Sequence, residues 1–206
     1  MKKLLTMALC LFISIAAFSQ SESAEQHMTF MGIPIDGTID EFTKRLNEKR
    51  QFAIDYTYSH TNVRVLNGFF GGTDNCRISI LHKPVKGEDL VYSVSVDFPE
   101  YDNWDLLESS YLFVKEMLIN KYGPTNDCTE SFVTDKKDLT NDEKMILLKE
   151  NKCNYKTTFI LPSLGMITLY IRHFNPLPNY DRYFVSLFYY EYLNSQKVKS
   201  EIKDDF

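Results

Sequence analysis

The sequence lacks the short motifs that identify common enzyme classes. It contains no G-x-S-x-G, S-x-x-K, H-E-x-x-H, Walker or dinucleotide-binding fingerprint. Gly71-Gly72 is not followed by the Lys-Ser/Thr pair that completes a phosphate-binding loop. Asp74 and Asn75 supply two oxygen ligands, where calcium prefers six to eight. Turn formation accounts for all four residues. We therefore expect a non-catalytic protein that has no catalytic residues and no cofactor.

Cysteine and histidine are also scarce, with four of each in the chain. None of them has the spacing of a metal-ligand set, so no metal site is predicted. Cys128 and Cys153 flank a polar insertion, and a disulfide between them would stabilise the fold by roughly 3 kcal/mol. The alternative is that the cysteines stay free, with Cys76 buried in a strand as a small apolar group.

No cluster of Lys or Arg is present, which argues against binding to nucleic acid or to an anionic membrane surface. The whole chain has a net charge of −5. Removal of a leader that contains Lys2 and Lys3 leaves 21 basic against 28 acidic side chains, a net charge of about −7.

The first nineteen residues have the pattern of a signal peptide. Lys2 and Lys3 precede an apolar segment from Leu4 to Phe18, and Ala17-Phe18-Ser19 supplies the small residues of a cleavage site. The apolar segment is too short to span a membrane. The sequence thus predicts cleavage after Ser19 and a periplasmic or secreted protein.

The mature chain reads as two successive helix-plus-strands units. Thr38 and Glu41 form a capping box before a helix that runs to about Arg50. Four alternating segments follow, at about 52–58, 63–70, 76–80 and 92–98, and Gly71-Gly72 predicts a hairpin turn. Such alternation is typical of antiparallel strands that pack on one side only.

The second unit begins with a helix that Asp102 caps and that ends at Lys121-Tyr122-Gly123-Pro124. Strands near 129–134, 155–161, 164–173 and 182–192 follow, and a polar insertion at 135–152 has its own capping box, Thr140 with Glu143. The last two strands carry large apolar side chains on both faces and should therefore be central or covered on both sides.

We therefore predict an α+β fold, in which antiparallel sheets carry helices on one face and form two similar α-β4 units. The units should cover residues 20–100 and 101–193, with a flexible tail at 194–206. Whether the units share one sheet stays open at this point.

Two segments carry a resemblance to a known group of proteins. These are the run from Met31 to Thr38 ahead of the first helix, and Lys121-Tyr122-Gly123-Pro124 at the end of the long helix. The chain resembles uncharacterised exported proteins of Gram-negative gut bacteria, a group without an assigned activity. Its architecture is also similar to small envelope and inhibitor domains with helices on an antiparallel sheet. The resemblance implies no functional residue.

Aromatic residues are the one compositional excess, with 13 Tyr and 15 Phe. Two segments contain aromatic residues outside the strand patterns. One is 101–104, which contains Trp104. The other is 174–182, in which Leu177 lies between two prolines and Tyr180 and Arg182 follow them. A stiff loop with aromatic groups can anchor a protein or stack on a sugar ring. An ordinary hairpin whose rings fold back onto the sheet explains the same pattern.

The leading hypothesis is an exported, non-catalytic interaction module that binds a protein partner through a sheet face or through the loop around Leu177 and Tyr180. The alternative is a carrier or receptor for a small ligand, such as a glycan, in the cell envelope. An unrecognised hydrolase is the third possibility.

Overall fold

The computed structural model of the chain describes residues 26–177 and 180–204. The predicted signal peptide, residues 1–19, lies outside the described residues. The described residues form four helices: α1 (Ile39–Lys49), α2 (Trp104–Tyr122), α3 (Asn141–Lys149) and α4 (Tyr192–Asp204). Even α2, the longest at 19 residues, lacks the apolar length that a bilayer span requires, and so do the other described helices.

Ten strands accompany the helices within residues 26–177 and 180–204. A short hairpin of β1 (Thr29–Phe30) and β2 (Ile33–Pro34) precedes α1. The main sheet contains β3 (Ala53–Ile54), β4 (Val63–Phe70), β5 (Thr73–Val85), β6 (Glu88–Asp97), β7 (Asp127–Phe132), β8 (Cys153–Leu161), β9 (Gly165–Leu177) and β10 (Tyr180–Glu191).

The eight strands form one antiparallel sheet in the order β3-β4-β5-β6-β10-β9-β8-β7. Each half is therefore a four-strand meander in which neighbours in the chain are neighbours in space. The halves join where β6 pairs with β10, from Ser186 opposite Asp97 to Tyr190 opposite Ser93. The structure thus has the predicted α+β class, and the two halves share a continuous sheet. The last two strands, β9 and β10, occupy central positions, as their apolar faces predict.

The helix boundaries follow from their caps. The capping boxes of Thr38 with Glu41 and of Thr140 with Glu143 are both formed. Gly123, at a φ of 85°, ends α2. The start of α2 differs by one residue from the prediction, because Asn103 rather than Asp102 accepts the backbone N–H of Leu106 through its side chain.

One hydrophobic core lies between the helices and one face of the sheet. The helices contribute Phe42 and Leu46 from α1 and Trp104 and Leu107 from α2. The sheet contributes the residues of alternate positions on its central strands: Cys76, Ile78 and Ile80, Val94 and Val96, Leu187 and Tyr189, and Ile167 and Leu169. The intervening residues of the same strands point to the opposite face, because side chains alternate along a strand.

The predicted strand at 52–58 is wrong beyond Ile54. The chain turns there because the Asp55 side chain accepts the backbone N–H of Thr57, and the Asp55 carbonyl accepts both the N–H and the hydroxyl of Ser59. These local hydrogen bonds compete with the sheet ladder.

The C-terminal segment is also more ordered than the sequence predicts. Residues 192–204 form α4 where a flexible tail was expected. Buried Glu191 accepts the backbone N–H groups of Leu193 and Asn194, and the Asn194 amide donates to the carbonyls of Ile35 and Val91. Three residues of α4, namely Asn194, Ser195 and Val198, are buried. The helix therefore packs against the rest of the protein although its sequence is rich in charged residues.

Candidate functional site

The sheet face opposite α1, α2 and α3 carries the candidate functional site, and we call it the open face. A row of directly paired residues crosses it from β4 to β7. In order, these residues are Asn67, Arg77, Asp97, Ser186, Tyr170, Lys156 and Thr129. Helix α4 contacts β5, β6, β9 and β10, and its Lys199 ammonium lies 5.8 Å from the centre of the Tyr190 ring.

Asp97 is the third residue of the row and lies at the join between the two halves of the sheet. Its carboxylate accepts a hydrogen bond of 2.6 Å from the Ser186 hydroxyl. Burial raises the pKa of Asp97, and the Ser186 hydroxyl and the charges of three surrounding arginines oppose this effect. Those arginines are Arg172, Arg77 and Arg182.

Each of the three arginines lies over an aromatic ring. Arg77 is 4.5 Å from the ring centre of Tyr58, Arg172 is 5.5 Å from Phe188, and Arg182 is 5.4 Å from Phe184. Tyr58 belongs to the turn after β3, which therefore overhangs the open face. Cation–π contacts of this kind fix the position of a guanidinium group without neutralising its charge.

Only one of these arginines forms an ion pair. Arg182 contacts Glu100 at 2.5 Å and is 6% exposed. Among the described residues, no carboxylate lies within 4.0 Å of the guanidinium nitrogens of Arg77 or Arg172, and neither side chain forms a hydrogen bond. The open face thus presents two half-buried cations without ion-pair partners in a chain of net charge −5.

A groove of about 750 Å³ extends from Arg172 toward the β7 edge of the open face. Its lining includes the rings of Tyr170 and Phe188, the cations Arg172 and Lys156, and the polar side chains of Asp127, Thr129 and Asn154. A smaller depression of about 240 Å³ lies on the other side of Arg172, between Tyr58, Arg77, Phe174 and Phe184. Arg172 lines both.

The structure separates the residues that the sequence predicts as a partner or ligand surface. Trp104 is fully buried, in edge-on contact with Phe132 and Tyr155, and its indole N–H donates to Glu108. The prediction of Trp104 as a surface residue is therefore wrong, because the first helical residue after Asn103 faces the core.

The described part of the predicted loop at 174–182 belongs instead to two paired strands. Leu177, the last residue of β9, pairs with Tyr180, the first residue of β10. Tyr180 is 52% exposed. Arg182 lies on the open face beside Glu100, but it is buried, so the prediction that it forms part of an accessible surface is wrong as well. It is the one of the four predicted surface residues that belongs to the arginine group.

Cys128 and Cys153 do not form the predicted disulfide, and among the described residues Cys76, Cys128 and Cys153 are free. Cys128 of β7 pairs with Thr157 of β8, whereas Cys153 of β8 pairs with Phe132 of β7. The two cysteines are therefore separated by four residues along the strand direction, or about 13 Å. A disulfide requires Cα atoms within about 7 Å. Burial raises the pKa of the Cys76 and Cys153 thiols to about 11.

Sequence reasoning missed Arg77 and Arg172 as a pair. The sequence contains part of the signal for their position. Each arginine occupies a polar position in the pattern of its strand, and it therefore lies on the face away from the core. Within residues 26–177 and 180–204, no group of three or more His, Cys, Asp or Glu side chains could hold a metal ion.

Comparisons with protein-family models, with curated proteins and with solved structures found no match to this chain.

Proposed function

We propose that the protein is an exported, non-catalytic interaction module, and that its open face docks an acidic segment of a protein partner. The observation that carries this proposal is the pair of half-buried guanidinium groups, Arg77 and Arg172, for which the described part of the chain places no carboxylate in ion-pair range. Complementary charge steers encounter and sets specificity, so a cationic patch on an acidic protein favours an acidic partner.

The position of the patch supports the proposal. The helix-covered face is occupied by the core, whereas the arginines of the open face are fixed on Tyr58, Phe188 and Phe184 before any partner arrives. Groups that are already ordered lose less conformational entropy on binding. Arginine and aromatic side chains are also the residue types that dominate binding energy at protein interfaces.

The test is co-purification of the tagged chain from its native envelope fraction, followed by affinity measurement with the isolated partner. We expect Arg77→Gln and Arg172→Gln each to weaken binding at least about tenfold, because each removes a charge-assisted contact. Binding should also weaken as salt is raised. Lys44→Gln is the matched control, since it removes one charge from exposed Lys44 on α1. A partner whose affinity responds equally to Lys44→Gln and to the arginine variants would contradict the proposal.

Export itself is tested by N-terminal sequencing of the protein from fractionated cells. The expected mature chain begins at Gln20, and an intact Met1 in the cytosolic fraction would contradict an exported location.

A carrier for a small ligand in the envelope is the second candidate. The groove beside Tyr170 favours it, because a volume of about 750 Å³ is in the range of pockets that hold a small molecule. A thermal-shift screen against glycans and small metabolites separates this function from protein docking. A carrier gains thermal stability with a ligand, whereas a docking module gains it only with its protein partner.

A further inference from the structure

The groove on the β7–β9 side of the open face combines three kinds of binding group with one carboxylate, that of Asp127, which lies on β7 two residues from Thr129 and on the side away from Arg172. The first kind of group is aromatic. Tyr170 and Phe188 meet edge to face, with ring centres 5.6 Å apart, and both are half-buried. Half-buried rings on a groove wall offer an apolar surface that suits the C–H groups of a flat ligand ring.

The second kind of group is cationic. Lys156 lies directly across from Tyr170, and Arg172 is two residues further along the same face of β9. Diagonal neighbours in a sheet are about 7–8 Å apart, so the two long side chains can reach one anionic group. Within the described chain, neither Lys156 nor Arg172 forms an ion pair or a hydrogen bond.

The third kind of group forms neutral hydrogen bonds. Thr129 pairs with Lys156 across β7 and β8, and Asn154 lies two residues before Lys156 on the same face. Both side chains are exposed in the groove, and both can donate and accept, as hydroxyl groups of a ligand require.

We propose that this groove is a binding site for an acidic saccharide, with the sugar carboxylate between Lys156 and Arg172 and the ring against Tyr170 and Phe188. The inference rests on the second candidate function and adds the ligand class. A neutral sugar leaves both cations without a partner. A simple inorganic anion makes no use of the rings of Tyr170 and Phe188.

The test is isothermal titration of the mature chain with tetragalacturonate and with its neutral methyl ester. We expect tetragalacturonate to bind at least about tenfold more tightly than the ester, because only the free acid forms charge-assisted hydrogen bonds. Lys156→Gln should remove most of that difference. Lys156 is exposed and makes no internal contact with an acid, so the variant is expected to fold. Lys44→Gln again serves as the matched control.

Hexaglutamate distinguishes the saccharide from an acidic peptide. Equal affinity for hexaglutamate and tetragalacturonate, equal affinity for the acid and the ester, or an unaltered Lys156→Gln variant would each overturn the assignment of an acidic saccharide. If another ligand still raises the melting temperature in the thermal-shift screen, the result supports the carrier function and contradicts only the proposed ligand class, an acidic saccharide.

Discussion

The Ser186 hydroxyl donates to the Asp97 carboxylate at 2.6 Å across the β6–β10 pair that unites the two halves of the sheet. Burial raises the pKa of Asp97 above its usual range, and this hydrogen bond lowers it again by favouring the charged form. The contact therefore stabilises the fold chiefly when Asp97 is ionised.

Ser186→Ala should destabilise the fold by about 1–3 kcal/mol at pH 7, because a buried carboxylate loses a donor. The loss should shrink as the pH falls through the folded pKa of Asp97, since the protonated acid needs the donor less. Urea unfolding at pH 7 and pH 4 measures both values. Ser95→Ala removes a hydroxyl from the same face without touching a carboxylate, so its effect should not change with pH.

Trp104→Ala should destabilise the fold by about 3–5 kcal/mol, because it opens a cavity beside Phe132 and Tyr155. Leu106, two residues further along α2, is 51% exposed, and Leu106→Ala should change stability by no more than about 0.5 kcal/mol. Chemical denaturation compares the two variants. Similar values for both would show that Trp104 is not a core residue.

The helices and most strands could be predicted from the sequence because their signals are local. A capping box such as Thr38 with Glu41, or the alternation around Ile78, lies within a few residues of the element it defines. Trp104 carries the same kind of signal, because it begins an apolar stripe at helical spacing. The other members of the stripe are Leu107, Tyr111, Val114 and Leu118, and all five residues are buried. The surface prediction for Trp104 is wrong because it followed the position of this residue beside a loop and not that stripe.

The candidate site depends on contacts that no local pattern encodes. Arg77, Asp97 and Arg172 lie on three strands. The pairing of β5 with β6 places Arg77 opposite Asp97, and the pairing of β6 with β10 brings Arg172 of β9 close to both. Strand order fixes that pairing, and the alternation within a single strand does not specify its neighbour. The face of each side chain was predictable, and its partners were not.

Gly165→Ala should be among the most damaging small substitutions. Gly165 has a φ of +135°, and an added Cβ would lie 2.0 Å from the Tyr190 carbonyl oxygen. We expect a loss of about 3 kcal/mol or more, from backbone strain and displacement of the β9–β10 pair. Gly87 also has a positive φ, of +89°, but has open space around it. Gly87→Ala should therefore lower the free energy of unfolding by only about 1 kcal/mol. Thermal or urea unfolding measures both variants.

The free cysteines should differ in their reaction with a thiol reagent under native conditions. Cys128 is exposed and should react quickly. Cys76 is buried, and its raised pKa of about 11 leaves little thiolate at pH 8, so it should react only after unfolding. Cys128→Ser should therefore abolish the fast phase of a colorimetric thiol assay, and Cys76→Ser should leave it unchanged. A Cys128 that resists labelling until a reductant is added would show that it is oxidised.

The position of β10 in the chain has a consequence for synthesis. The first meander, β3 to β6, is complete by Asp97, but the edge of β6 has no neighbour until residues 180–191 have been made. Until β10 has been made, the nascent chain carries an unpaired edge on β6. Such an edge is a template for association with other chains. A C-terminal truncation that removes β10 would leave β6 and β9 open together, so such a fragment is expected to self-associate and precipitate.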